Sequence, residues 1–252
     1  GGRPMNATYW AIDLRRTLRD ITNIFFIAGL PLIMYLVFGS AQSYRDEPVA
    51  HGNVGSVVMI SMAVYGAVTA TTSISGGAAL ERFQGWGRQL GLTPWSSTGF
   101  VITKSAVAMT VAAVPVLSVG LVGALTGAEA TPLAWVLALA AAWIGSAVFA
   151  GYGLTAGMAF RSESALGVAG GSLVLFALAG NLFIPLSGTA LELARFTPLY
   201  GINALARFPL TGGVVTESVT DPLWLPLLNV TAWALILGTT ATVLVRRRRG
   251  RD

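Results

Sequence analysis

The side chains that could act on a substrate are few, and their spacing rules out most chemistry. Histidine occurs once, as His51, and cysteine is absent. A histidine metal cluster, a thiolate nucleophile and a disulfide framework are excluded together. An intramembrane serine protease of the rhomboid type needs a G-x-S-G nucleophile and a histidine within the bilayer. No G-x-S-G occurs, and His51 falls between two apolar runs rather than inside one. Lys104 is the only lysine, in a string FVITKS that echoes the end of a phosphate-binding loop. The residue before it is Thr103, and without glycines there the backbone cannot cradle phosphates. Lys104 is expected instead to snorkel toward a membrane interface. The chain itself is therefore not expected to bind a nucleotide or to be an enzyme.

The densest group of charged and turn-forming residues is ERFQGWGRQLGLTPWSS, residues 81–97. At helical spacing Ala79, Leu80, Phe83, Trp86 and Leu90 share one side, and Glu81, Gly85 and Arg88 the other. Glycine inside a helix costs about 1 kcal/mol relative to alanine, so Gly85 and Gly87 make a poor free-standing helix. They also leave room for another backbone to approach. Thr93 and Pro94 end the segment. A solvated loop and a docking helix fit these residues equally well.

What flanks that segment decides its surroundings. The 252 residues are 54% hydrophobic and 11% charged, with a mean hydropathy of +0.68. Soluble domains carry about 25% charged residues, so lipid must be part of this chain's solvent. Six stretches reach the roughly 20 apolar residues that a helix needs to cross a bilayer: about 21–38, 54–74, 101–125, 133–158, 165–186 and 223–245. Unpaired backbone amides are not tolerated in lipid, so each is expected to be a helix. Residues 1–4, GGRP, precede Met5 and read as an appended remnant; residues 5–252 read as one membrane domain.

The positive-inside rule orients the spans. Arg3, Arg15, Arg16 and Arg19 precede the first; Arg82, Arg88 and Lys104 follow the second; Arg161 follows the fourth; Arg246, Arg247, Arg248, Arg249 and Arg251 follow the sixth. These share one side, which leaves Arg45, Arg195 and Arg207 on the other. Both termini are thus expected in the cytoplasm. The final arginine run reads as an anchor at anionic lipid headgroups, not a nucleic-acid patch.

Before the first span, YWAIDLRRTLRDI places Trp10, Leu14, Thr17, Leu18 and Ile21 on one helical face, opposite Arg15, Arg16 and Arg19. This predicts an amphipathic helix lying in the membrane interface; a cytoplasmic extension of the first span is the alternative. Residues 187–222 are long for a connection. Two apolar pieces within it, around 189–196 and 199–208, are too short to span, and Pro198 separates them. They predict two short helices dipping into the outer leaflet. No Asp or Glu lies near the middle of a span, which argues against a proton relay. Thr69, Thr72 and Asn181 are polar residues that could line a substrate path, with packing the simpler reading. Gly167 and Gly171 have the spacing of a close helix contact.

In order and spacing these parts resemble the permease subunit of an ABC type-2 exporter, the family of daunorubicin-resistance-type permeases. The resemblance rests on Glu81, Arg82, Gly85, Thr93 and Pro94, then Gly180, Pro185, Pro198, Leu199 and Tyr200. At Phe83 and Gln84 the chain departs from the charged residues usual in the family. The resemblance implies an all-α polytopic fold with six transmembrane helices, an N-terminal in-plane amphipathic helix and a re-entrant helical hairpin between spans five and six. It implies a bacterial cytoplasmic membrane, a second permease subunit (a homodimer or a related heterodimer), and two cytoplasmic ATPase subunits that bind ATP and Mg. Spans one, two and five would approach the dimer axis. Glu81, Arg82, Gly85 and Arg88 would couple to the ATPase, with Arg15, Arg16 and Arg19 nearby, and Pro185, Pro198 and Tyr200 would form the outer gate. The implied activity is export of a hydrophobic or amphipathic drug, antibiotic or lipid. Export of a lipid-linked glycan or other cell-envelope polymer is the alternative, and a non-transporting membrane scaffold or sensor is a third.

Overall fold

A computed structural model describes residues 7–81, 97–160 and 163–249 of the chain. The fold is almost entirely helical: α1 Ala7–Arg19, α2 Ile21–Ser40, α3 Val54–Glu81, α4 Ser97–Leu125, α5 Pro132–Gly145, α6 Val148–Phe160, α7 Glu163–Ala179, α8 Gly188–Ala194, α9 Pro198–Thr211 and α10 Trp224–Arg249. Two small antiparallel ribbons, Pro48–Val49 with Gly52–Asn53 and Val214–Thr216 with Val219–Thr220, close the loops at one end.

Helix α3 is the central post. Its most apolar stretch is 78% buried, against 17% for α2 and 11% for α10. Small residues on every side (Ala63, Ala67, Ala70, Ser75, Ala78) let α2, α4, α6, α7 and α9 close around it. A helix apolar all round belongs in a core or in lipid, and α3 is in the core. The exposed leucines and phenylalanines of α2, α4, α5 and α10 face outward.

Among the described residues, five helices are long and apolar enough to cross a membrane: α2, α3, α4, α5 with α6, and α10. The stretch expected to span at 165–186 is shorter as a helix. α7 has 17 residues and stops at Ala179, because Asn181 adopts a left-handed backbone (φ 60) and its Oδ1 accepts the Leu186 amide at 2.8 Å. Asparagine tolerates that conformation better than most side chains, which makes it a helix stop.

Helix α1 is separate from α2 and not its extension. Asp20 between them is non-helical and caps α2, accepting the Asn23 amide. The inward face of α1 is Trp10, Asp13, Leu14 and Thr17, while Leu18 and Ile21, expected on that face, are exposed. The expected 133–158 span is broken at Ser146, whose carbonyl accepts the Phe149 amide at 3.0 Å and the α3 hydroxyl of Thr71 at 2.8 Å. The two short helices expected in 187–222 are present as α8 and α9, with Pro198 in the first turn of α9. α9 packs among α3, α5 and α10.

Candidate functional site

Two polar clusters lie at opposite ends of the bundle. The first, at the end that holds α1, joins three helices through one lysine. Lys104 Nζ lies 2.9 Å from Asp13 Oδ2 and 2.7 Å from Glu81 Oε2, and Arg16 Nη1 lies 3.2 Å from Glu81 Oε1. The Lys104 and Asp13 side chains are 8% and 9% exposed, so both ions have left water and need each other. Arg16 is open to solvent, and its bond to Glu81 adds little. Lys104 does not snorkel: α1 covers it and supplies a counter-ion. This pairing bolts the amphipathic helix to Glu81 of α3 and Lys104 of α4. Asp13 is not among the site residues that local sequence pattern marks. The available signal was an acid between Trp10, Leu14 and Thr17 on an otherwise uncharged face, in a chain with a single lysine.

Arg15 and Arg19 are exposed on the outer side of α1. Arg82, Gly85 and Arg88 lie outside the described residues. Of the described members of the expected coupling group, the structure brings together Glu81 and Arg16.

The second cluster sits under α8 and α9 at the far end. Asp221 is buried; it accepts from Arg195 Nη2 at 2.5 Å and from the Tyr200 hydroxyl. Burial, and next the adjacent Asp221 carboxylate, hold the Tyr200 phenol well above its ordinary pKa, so it stays protonated and donates. Asn229 of α10 donates to the Arg195 and Thr197 carbonyls and ties α10 to the bend between α8 and α9. Hydrogen bonds to a buried charge contribute about 1.5–3 kcal/mol each. Asp221→Asn, which leaves Arg195 without a counter-ion, is therefore expected to destabilise by about that much, and Tyr200→Phe by less. Thermal melts of the two variants in detergent would check the order.

Of the expected gate residues, Pro198 and Tyr200 are buried in this cluster and Pro185 is exposed in the connection after α7. Of the expected path residues, Thr72 is buried in α3 and Thr69 is half-buried with its hydroxyl on the Tyr65 carbonyl. Neither borders the cavity at the far end, whereas Asn181 does. That cavity, about 70 Å³, is also lined by Tyr200, Asn203, Arg207 and Thr211. Arg207 Nε donates to Ser61 Oγ of α3 at 2.7 Å. Burial pulls the Arg207 pKa down to about 10, which leaves it cationic at neutral pH.

Long apolar helices around a buried post define a multi-pass helical membrane protein. No protein-family model matches the chain, and no curated protein matches it.

Proposed function

We propose that the chain is the permease subunit of an ATP-driven ABC exporter in a bacterial cytoplasmic membrane. It would cross six times, with α7 and the residues after it as the fifth crossing, both termini in the cytoplasm and α1 in the plane of the interface. α8 and α9 would be the re-entrant hairpin, and the cargo a hydrophobic or amphipathic molecule. ATP and Mg would be bound by two copies of a separate ATPase, and a second permease subunit would complete the pathway.

The observation that carries this reading is the Asp13–Lys104–Glu81 cluster. A motor outside the membrane can move helices only through a stiff handle on its own side. Lys104 ties α1, α3 and α4 into one such handle, and in the sequence segment 82–96 lies between α3 and α4. The exposed apolar faces of α2 and α7, including Phe25, Phe26, Val168 and Leu175, support a second subunit approaching there.

The test is to look for an ABC ATPase reading frame beside that of this chain, co-express and reconstitute the two, and measure hydrolysis and transport. Arg88→Glu is expected to lower transport at least tenfold while the thermal melt of the permease stays unchanged. Full transport by that variant, or an ATPase that neither binds nor responds to the permease, would overturn the proposal.

A further inference from the structure

Arg207 is a cation without an anion. Its partners are neutral: Ser61 Oγ at 2.7 Å and the Leu182 carbonyl at 3.4 Å. Among the described residues no carboxylate pairs with it. Ser61 lies seven residues into α3, so at 1.5 Å rise per residue the guanidinium sits about 10 Å below the end of that helix. A cation at that depth carries a desolvation cost unless an anion reaches it.

One turn before Arg207 on α9 is Asn203, which is 1% exposed. Its Nδ2 donates to the Asn181 carbonyl at 3.0 Å, and its Oδ1 is a buried acceptor with no partner. Buried polar atoms are nearly always satisfied, so an orphaned acceptor marks a missing donor. Arg207 and Asn203 border the same cavity of about 70 Å³, which is room for a tetrahedral oxyanion or several waters. The acid on its wall, Asp221, is already engaged by Arg195 and Tyr200. The remaining wall is apolar: Val57, Phe208, Val214, Val215 and Pro226.

We infer that this cavity is a binding site for a phosphodiester headgroup that bears a hydroxyl, the phosphoglycerol type. Arg207 neutralises the phosphate, the hydroxyl donates to Asn203 Oδ1, and the apolar wall takes the start of an acyl chain. A fatty-acid carboxylate would satisfy Arg207 and leave Asn203 orphaned. A choline headgroup would bring a second cation to Arg207 and no hydrogen-bond donor. The site needs no ATPase; only the further step of calling the headgroup cargo rests on the exporter reading.

The experiment is native mass spectrometry of the delipidated full chain with phosphatidylglycerol, with phosphatidylcholine of the same acyl chains, and with free glycerol phosphate. Wild type is expected to hold phosphatidylglycerol at least tenfold more tightly than phosphatidylcholine. Arg207→Gln should abolish the difference. Thr211→Asp guards against simple misfolding. It sets a carboxylate one turn from Arg207 and keeps an acceptor for the Gly213 amide that Thr211 Oγ1 now receives. That variant is expected to melt no lower than wild type and still to lose the preference. Glycerol phosphate failing to compete supports a lipid headgroup; equal competition supports the same chemistry on a soluble polyol phosphate. Equal binding of both lipids by wild type, or a folded Thr211→Asp that keeps the preference, overturns the site. Such failure would leave the coupling of Arg88 to an ATPase untouched, and loss of that coupling would leave the headgroup site standing.

Discussion

Lys104→Met is expected to destabilise the folded chain by about 3–5 kcal/mol, the usual cost of removing one partner from a buried ion pair. Methionine nearly matches the lysine stem in length, so lost packing contributes little. The loss is electrostatic: the Asp13 carboxylate is stranded with 9% of its side chain exposed, while Glu81 keeps its exposed bond to Arg16. Thermal melts in detergent would show the drop, and proteolysis should cut α1 first, because its anchor has gone. Lys104→Met combined with Asp13→Asn is expected to recover most of the stability, since no isolated buried charge then remains. A double variant as unstable as the single one would mean that packing, not charge, makes Lys104 necessary.

That cluster changes what Glu81 can be asked to do. Read from sequence, Glu81 and Arg88 belong to one exposed face of a docking helix. Glu81 is the last described residue before segment 82–96, and its Oε2 lies 2.7 Å from Lys104 Nζ. A variant at Glu81 therefore perturbs the handle itself as well as any docking, and a double substitution with Arg88 would mix the two effects. Arg88 alone separates them.

The sequence made legible whatever depends on composition and local periodicity. Apolar runs located α2, α3, α4 and α10 to within a few residues at most ends, and Pro198 separated α8 from α9 as expected. α1 was legible as a helix, but its orientation was not. Its inward face is decided by Asp13 meeting a lysine 91 positions away, which no local pattern records. The break at Ser146 was likewise hidden. AAAWIGSAVFA contains no proline, and the interruption is stabilised from outside by the Thr71 hydroxyl. At the far end, Tyr200 stood out by type. Its partner Asp221 and the cavity around Arg207 arise only when α9 folds back against α3.

Glycine shows the same limit and supplies the second large expected effect. Gly167 and Gly171 have the spacing of a close helix contact, but a Cβ built on either meets nothing within 4 Å. The contact is made by another pair at that spacing, Gly153 and Gly157 of α6. There a Cβ would lie 2.2 Å from the Thr72 carbonyl oxygen and 2.5 Å from that of Gly76. Both obstacles are α3 backbone, which cannot swing aside as a side chain can. Gly153→Ala should gain up to about 1 kcal/mol of helix propensity but force α6 off the central post. Overpacking of this kind costs about 1–3 kcal/mol, and with backbone as the obstacle the upper end applies, so a clear net loss in thermal stability is expected. Gly171→Ala keeps the propensity gain without the clash, and its melt should match or slightly exceed that of wild type. If α7 faces a second permease subunit, the same Gly171→Ala should lower the cross-linked dimer fraction while that melt holds. A Gly153→Ala chain as stable as wild type would mean that α3 and α6 are further apart than their carbonyls and glycines require.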